Sequence, residues 1–276
     1  MHEQALSLFA TAGLRAEFTS ERALMAQMGP DFQAIFVRAA DIPEFVADGA
    51  ADLGVTGADL VAESGREVTE LLDLGFGRCR LAVAAPEALE LDDPSQLPSG
   101  SRVATSFPRI ARRWFDERGV DIEIAPVSGA AEIAPHLGVA DVIVDLVSTG
   151  STLRVNRLRE IATIMESTAR VVANPSVLDD PAQAKAVNEL VAALESVLRA
   201  RSRRYLMANV PRAALADVKR ILPGINGPTI VEVEDSGSWV AAHAVVEVDR
   251  VYQTITRLKE LGAEGILVTP IERLMP

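Results

Sequence analysis

Short apolar runs and longer amphipathic stretches alternate along the chain, and this pattern predicts an α/β protein. Runs rich in Val, Ile, Leu and Ala have the length of buried strands, and they predict strands over 34–39, 53–56, 68–72, 80–85, 102–106, 122–125 and 142–145. Helical spacing of apolar residues predicts helices over 4–14, around Trp114, and over 130–137. Asp41 is expected to cap a short helix. A repeat at i, i+3, i+4 and i+7 predicts a long helix that starts at Pro181 and has a basic end at 199–204.

The C-terminal part of the chain reads as a strand, helix, strand, strand, helix, strand series, which is the order of a ferredoxin-like domain. The predicted helices and strands are, in chain order, 205–210, 213–222, 229–234, 239–246, 249–261 and 266–269. Small sheets of this type often serve as ligand sensors, but the fold alone does not establish that role.

The stretch from Asp141 to Leu153 combines a strand, an acid and a loop of small hydroxyl residues before a predicted helix. We expect a fully buried strand, as in a parallel sheet, that ends at Asp145. The first amides of a helix lack internal partners and the helix dipole adds positive charge, so such a junction can bind anions. We therefore predict a phosphate site, with Asp145 placed to accept from sugar hydroxyls or to hold a metal. The predicted phosphate-binding residues are Ser148, Thr149, Gly150, Ser151 and Thr152.

A plainer interpretation of this loop is an N-cap of Ser and Thr on an ordinary unit of strand and helix. The buried strand and the acid that precede the loop favour the phosphate interpretation. The loop is neither a Walker P-loop nor a dinucleotide-binding fingerprint, because it lacks the lysine and the spaced glycines of those motifs.

A second small-residue turn leads from a strand into a helix at 56–60 and suggests further anion contacts, at Thr56, Gly57 and Asp59. A tight structural turn explains this stretch equally well. Arg38 is either an anion clamp or a surface partner of Glu44. Arg109, near the start of another helix, is either a contact to phosphate or adenine base or an ordinary surface arginine.

Composition narrows the class of protein. The chain has 276 residues, of which 49% are hydrophobic and 24% charged, as expected for two or three globular units. A formal net charge of -12 argues against a nucleic-acid partner. The single cysteine excludes an internal disulfide, and the three histidines show no metal-binding spacing. Neither a signal peptide nor an apolar run long enough to span a membrane is visible, so we expect a cytoplasmic protein without a membrane partner.

The string Asp-Leu-Val-Ser-Thr-Gly-Ser-Thr-Leu over 145–153 resembles the 5-phosphoribosyl-1-diphosphate (PRPP) loop of phosphoribosyltransferases, and most specifically that of long-form ATP phosphoribosyltransferase. Strings at 41–46 and 51–60 resemble the first lobe of that family, and strings at 223–230 and 261–272 resemble its regulatory domain. The resemblance implies a two-lobed catalytic part, like a type II periplasmic binding protein, followed by a ferredoxin-like βαββαβ regulatory domain. It places lobe I at 1–83 and 166–202, lobe II at 84–165 and the regulatory domain at 203–276.

The resemblance also implies the chemistry. Such enzymes transfer the 5-phosphoribosyl group of PRPP to N1 of ATP and release pyrophosphate with the help of Mg²⁺, as the first step of histidine biosynthesis. Asp145 would act near the ribose and 148–152 would hold the 5-phosphate. Histidine would bind between regulatory domains as a feedback inhibitor, at positions that match Asn209, Ile225, Thr229 and Ala263. The resemblance further implies homodimers that assemble into homohexamers, and it names no metal ligands in this chain.

One departure concerns the first residues. Members of the family usually begin with a strand and a Lys-Gly-Arg-like stretch before the helix that starts here near Glu3. We expect either a late start or a lobe I that lacks its first strand and a basic phosphate contact, with weak catalysis in the second case.

The sequence is compatible with two other functions. Similar Gly-x-Ala-Asp strings at 49–52 and 138–141 suggest two similar lobes, as in a non-catalytic small-molecule binding protein with a sensor domain. The effector domain of a transcription regulator is a third hypothesis, which the sequence supports least because it contains neither a helix-turn-helix pattern nor a basic segment.

Overall fold

A computed structural model gives the fold and describes residues 1–20, 23–233 and 237–275. The α-helices within these residues are α1 His2–Thr11, α2 Ile42–Ala47, α3 Ala58–Ser64, α4 Pro108–Asp116, α5 Ser151–Val155, α6 Pro175–Asp179, α7 Pro181–Arg201, α8 Leu215–Ile221 and α9 Val251–Glu260. The first eight strands are β1 Ala16–Phe18, β2 Met25–Met28, β3 Phe32–Ile35, β4 Leu53–Gly57, β5 Thr69–Asp73, β6 Cys79–Pro86, β7 Ser101–Thr105 and β8 Ile122–Pro126. The remaining strands are β9 Val142–Val147, β10 Leu158–Ser167, β11 Ala169–Ala173, β12 Arg203–Pro211, β13 Thr229–Glu232, β14 Trp239–Glu247 and β15 Glu264–Pro270.

The chain divides into two compact units. Unit 1 contains Met1–Ala5, Phe18–Gln27 and Gln33–Val187, and unit 2 contains Leu6–Glu17, Met28–Phe32 and Asn188–Pro276. Most of the predicted catalytic part lies in unit 1, and the predicted regulatory domain lies in unit 2.

A five-stranded mixed sheet in unit 1 carries the predicted phosphate loop. Its strand order is β10-β6-β9-β7-β8, with β9 parallel to β7 and antiparallel to β6. The expectation of a parallel sheet around β9 is therefore wrong on one side. The expectation that this strand ends at Asp145 is also wrong, because Asp145 pairs with Ala82 and the ladder continues to Val147 opposite Arg80.

A second sheet of unit 1, in the order β4-β11-β5, is antiparallel throughout. The chain passes from this sheet to the five-stranded sheet between β5 and β6, and it returns between β10 and β11. These two sheets confirm the predicted mixed α/β, two-lobed architecture. The lobe boundaries at 83/84 and 165/166 stay predictions; the first falls inside β6 and the second inside β10.

Apolar side chains pack on both faces of the five-stranded sheet. One buried cluster joins Leu81 and Val83 of β6 to Ile110, Trp114 and Phe115 of α4, as expected for the helix that carries Trp114. A second cluster, rich in alanine, includes Ile143 and Leu153. Because both faces of β9 are covered, its side chains at 142–144 are fully buried.

The C-terminal sheet of unit 2 has the order β13-β14-β12-β15, and all its pairs are antiparallel. Helices α8 and α9 complete the strand, helix, strand, strand, helix, strand series, which confirms the predicted ferredoxin-like domain. Alternate residues of β12 and β14 pack with Val218 and Leu258 of the two helices in one core. The predicted end of β13 at Glu234 lies outside the described residues.

Three local predictions differ from the structure. The strand expected over 34–39 is observed at Phe32–Ile35. The segment that follows it is bonded at Ala39, whose carbonyl accepts from the Thr56 hydroxyl at 2.8 Å. The helix expected over 130–137 is only a 3-10 turn at Ala131–Ile133. Asp41 occupies an N-cap position but makes no side-chain capping bond.

The long helix predicted from Pro181 is confirmed as α7. It begins at Pro181 because the Asp180 carboxylate accepts from the amides of Ala182 and Gln183, at 2.8 and 3.0 Å. Within the described residues, no helix is long and apolar enough to cross a membrane.

Asn174 offers a test of how unit 1 is held together. Its amide nitrogen donates to the carbonyls of Val46 and Ala47 at the end of α2, and its oxygen accepts from the amide and hydroxyl of Ser176 in α6. Asn174→Ala removes these bonds and leaves buried groups unpaired, so we expect a loss of about 1–3 kcal/mol in the free energy of unfolding. Urea unfolding, followed by Trp114 fluorescence in a Trp239→Phe background, measures it.

Asn188 provides the matched control, because it is exposed on α7. Asn188→Ala should change the free energy of unfolding by less than about 0.5 kcal/mol. Equal effects of the two substitutions would show that the Asn174 bonds do not stabilise unit 1.

Candidate functional site

A cavity of about 310 Å³ lies at the carboxyl end of β9, where the predicted phosphate loop is found. The loop residues Ser148–Thr152 and the acid Asp145 all line it, together with Ala130, Glu132, Leu146, Val147 and Leu153. The structure thus brings the acid and the whole hydroxyl loop to one concave surface. Their roles as catalytic and phosphate-binding residues stay predictions.

The backbone of the loop turns sharply at Gly150, which has φ 73° and stands at the N-cap of α5. A side chain would be strained in this left-handed conformation, so glycine suits the position. The Thr149 and Ser151 hydroxyls lie 3.0 Å apart and are exposed. The loop therefore presents hydroxyl donors at the start of a short helix, a surface chemically suited to an anion.

Asp145 faces the cavity from the ladder of β9 in a half-buried position. Burial raises the pKa of its carboxyl group, the bond from the Leu146 amide at 2.7 Å lowers it in part, and the negative charge of Glu132 raises it further. Glu132 was not predicted as a site residue, because it lies in a separate turn that only the tertiary fold brings to Asp145.

Arg80 and Arg154 donate to backbone carbonyls of the loop, and neither was predicted as a site residue. Arg154 donates to the Thr149 carbonyl at 3.4 Å, and its position four residues after Gly150 on α5 is a sequence signal that could have identified it. Arg80 binds both carboxylate oxygens of Glu160 and reaches the Ser148 carbonyl at 3.5 Å. These contacts hold the backbone at the beginning of the loop, at Ser148 and Thr149.

The second predicted anion turn lies elsewhere in unit 1. Thr56 is buried and donates to Ala39, Gly57 ends β4 opposite Ala169, and neither lines the 310 Å³ cavity. The carboxylate of Asp59, also outside the cavity lining, is buried and accepts from the Ser167 hydroxyl at 2.5 Å. The polar groups of Thr56 and Asp59 thus bond within the protein, which is the arrangement that the structural interpretation of this turn predicts.

The two predicted arginines also stand outside the cavity lining. Arg38 is exposed, and its carbonyl accepts from the Asp41 amide. Arg109 is exposed in the first turn of α4, and its backbone amide donates to Glu63.

The four predicted effector residues lie in unit 2. Asn209 on β12 and Thr229 on β13 are both exposed, and both alternate with residues that pack in the core, so they share the open face of the sheet. Ile225 is 53% exposed in the turn before β13, whereas Ala263 is buried in the turn before β15. The sheet thus brings Asn209 and Thr229 to one face, while Ala263 contributes to the core behind it.

Comparisons with known proteins identify the family. The model of the ATP phosphoribosyltransferase (HisG) family matches residues 38–196, and the model of the HisG C-terminal domain matches residues 200–273. ATP phosphoribosyltransferases from Gemmatimonas aurantiaca and Methanopyrus kandleri are 57% and 48% identical to this chain, each alignment covering 100% of this chain and 96% of the relative. A solved ATP phosphoribosyl transferase (HisG:HisZ) complex from Thermotoga maritima matches with a TM-score of 0.63 at 27% identity, over 72% of this chain and 94% of that chain.

The family models and the relatives identify a transferase in which a two-lobed α/β part is followed by a separate C-terminal domain. The chain belongs to the ATP phosphoribosyltransferase family, in its long form, whose reaction belongs to histidine biosynthesis.

The raised pKa of Asp145 predicts an effect on stability. The folded protein holds this proton more tightly than the unfolded chain, so the free energy of unfolding falls as the pH rises from the ordinary pKa through the raised one. Asp145→Asn cannot ionise and should therefore unfold at a higher urea concentration than wild type at pH 7. The gain should vanish below about pH 3, where the acid is protonated in both states.

Asp116→Asn, at an exposed acid at the end of α4, is the control and should show no such gain at pH 7. A wild type as stable as Asp145→Asn at neutral pH would show that the charge on Asp145 carries no cost in the folded protein.

Proposed function

We propose that this enzyme transfers the 5-phosphoribosyl group of PRPP to N1 of ATP, releases pyrophosphate, and is inhibited by histidine. The observation that carries the proposal is the cavity that collects Asp145 and the loop at 148–152. Family membership over the full chain supports the choice of this reaction over others that use PRPP.

The proposed reaction forms one bond and breaks one bond. N1 of adenine donates an electron pair to C1 of the ribose, and the bond from C1 to the diphosphate oxygen breaks, so that pyrophosphate leaves with that pair. The transition state has oxocarbenium character, so positioning and charge stabilisation contribute more than a strong nucleophile. A carboxylate at Asp145 would stabilise positive charge on the ribose, and the loop hydroxyls and amides would hold the 5-phosphate.

Mg²⁺ is part of the proposal. Within the described residues, no group of three or more His, Cys, Asp or Glu side chains could hold a metal ion. Magnesium often takes only one or two protein carboxylates and completes its shell with water and substrate phosphates. Asp145 and Glu132, which both line the cavity, fit that mode of binding. The ion would neutralise charge on the departing diphosphate.

A turnover assay tests the proposal. Incubation of the protein with ATP, PRPP and Mg²⁺ should give an ultraviolet absorbance increase from N1-substituted adenine, together with an equal amount of pyrophosphate. Turnover with PRPP omitted, or pyrophosphate without the adenine product, would contradict the assigned reaction.

Substitution of Asp145 locates the reaction in the cavity. Asp145→Ala removes the carboxylate that faces the ribose, so we expect kcat/KM for PRPP to fall by about 100-fold or more, as for loss of one electrostatic contact to a transition state. Steady-state kinetics measure the loss, and histidine binding by calorimetry should stay at the wild-type value. Asp116→Ala is the control, and equal loss of histidine binding in Asp145→Ala would mean that Asp145 is structural.

The inhibitory site is proposed on the open face of the C-terminal sheet. Thr229 and Asn209 share that face and are exposed, so a small polar ligand can reach them. In the family-based proposal, histidine binds there between regulatory domains of a homodimer or homohexamer, and the effect on catalysis passes between subunits.

Thr229→Trp should fill the space of the inhibitor and raise the histidine concentration that halves activity by about tenfold or more, the change that a loss of about 1.4 kcal/mol in binding produces. Turnover without histidine should remain within twofold of wild type, since unit 1 is unchanged. Thr256→Trp on the exposed surface of α9 is the control. Unchanged inhibition in Thr229→Trp would remove this residue from the inhibitory site.

A two-lobed binding protein without chemistry is the second function that the sequence allowed. Curated relatives that match the whole chain are transferases, which favours the enzyme.

A further inference from the structure

Helix α3 is fixed near both of its ends by polar contacts, one to strand β10 of the five-stranded sheet and one to helix α4, which packs on that sheet. At its start, the Asp59 carboxylate accepts from the hydroxyl of Ser167, the last residue of β10, and the Asp59 amide donates back to that hydroxyl at 3.1 Å. Near its end, the Glu63 carboxylate accepts from the backbone amides of Arg109 and Ile110 in α4, at 2.9 and 3.0 Å. We call these contacts the α3 bracket.

The contact at Glu63 uses every free donor in the first turn of α4. Pro108 has no amide proton, Arg109 and Ile110 donate to Glu63, and Ala111 donates to the Phe107 carbonyl at 3.0 Å. No side chain caps this helix from its own N-cap position. Glu63 therefore supplies the negative charge that the N-terminal end of α4 favours.

Gly65, which follows α3, contacts the side chain of Arg109. A Cβ atom at Gly65 would lie 1.8 Å from Nη1 of Arg109, so the guanidinium group rests directly on the glycine backbone. Gly65 also has φ 62°, the left-handed conformation at the end of α3. Both the backbone and the side chain of Arg109 are thus held by α3.

The start of α4 follows the carboxyl end of β7, in the sheet that also carries the PRPP-loop cavity at the carboxyl end of β9. Thr105, the last residue of β7, pairs in parallel with Val144, which directly precedes Asp145. The connection from β7 to α4 therefore runs beside the acid. Helix α3, which holds the start of α4, follows directly from the turn at Thr56 and Gly57 that ends β4 in the smaller sheet. The bracket thus joins the strand ends of both sheets.

We propose that Glu63 is a positioning residue for the transferase reaction. Its carboxylate fixes the β7–α4 connection beside Asp145 and holds this connection in a constant position relative to the end of β4. Glu63 does not line the cavity, so it acts through the backbone it holds. The inference rests on the proposed assignment of the cavity to PRPP.

Two substitutions test the role of Glu63. Glu63→Ala removes the acceptor for both amides, so kcat should fall by about tenfold or more while KM for PRPP changes by less than about threefold, because a geometric fault affects the transition state more than ground-state binding. Glu63→Gln keeps a side-chain oxygen of the same reach and should restore at least part of kcat. Steady-state kinetics with ATP, PRPP and Mg²⁺ measure both.

Two controls separate positioning from general stability. Glu117→Gln, at an exposed acid after the other end of α4, should keep wild-type kinetics. Asn174→Ala loosens unit 1 at a distance from these contacts and should keep kcat at a temperature where it is folded. If Glu63→Ala loses activity only in proportion to its stability, as an ordinary destabilised variant does, the proposal is overturned.

Hydrogen exchange at the Arg109 and Ile110 amides follows the bracket without any ligand. Protection should be lost in Glu63→Ala and partly kept in Glu63→Gln, whatever reaction the enzyme performs, so a failure of the proposed function is distinguished from a failure of this inference. Wild-type kcat in Glu63→Ala would overturn the inference. Tighter binding of inorganic pyrophosphate by Glu63→Ala, measured by calorimetry, would also overturn it, because Glu63 would then block an anion site.

Discussion

The hydrogen-bonded ladder between β6 and β9 is the constraint on which the site depends. It continues past Asp145 as far as Val147, so the acid is held by the sheet while the hydroxyl loop begins only after the last pair. Arg80 on the same β6 reaches the Ser148 carbonyl, and Arg154 holds the Thr149 carbonyl from α5. The first two residues of the loop are thus fixed by the sheet and by two arginines, and preorganised groups of this kind favour binding of a charged group.

The local pattern of apolar and turn residues predicted most of the helices and strands. It failed where contacts between distant segments determine the structure. The apolar repeat of α7 and the strand and helix order of the C-terminal domain were predicted correctly, because periodicity and turn residues fix them locally. The antiparallel partner of β9 could not be predicted, since pairing depends on a segment some sixty residues away. Glu132 was missed because only the tertiary fold brings it to Asp145, whereas the hydroxyl residues at 148–152 are contiguous in the sequence and so could be grouped without the fold.

The two small-residue turns show how one sequence pattern serves two purposes. At 148–152 the hydroxyls are exposed and line a cavity, whereas Thr56 and Asp59 use their polar atoms within the protein. Sequence gives no signal that separates them, because the partners Ala39 and Ser167 lie far from the turn along the chain. The second turn instead leads into α3, which links the two sheets of unit 1 through Glu63 and Asp59.

The half-buried acid of β9 has a thermodynamic consequence for ligand binding. Burial raises the pKa of Asp145, and a cation or a developing positive charge beside the acid would lower that pKa again, so association with such a ligand releases protons in the pH range where the acid is partly protonated. The heat of association then includes the ionisation heat of whichever buffer takes up that proton. Burial of the Asp145 carboxylate therefore makes the affinity for a cation depend on pH, even when the cation has no titratable group.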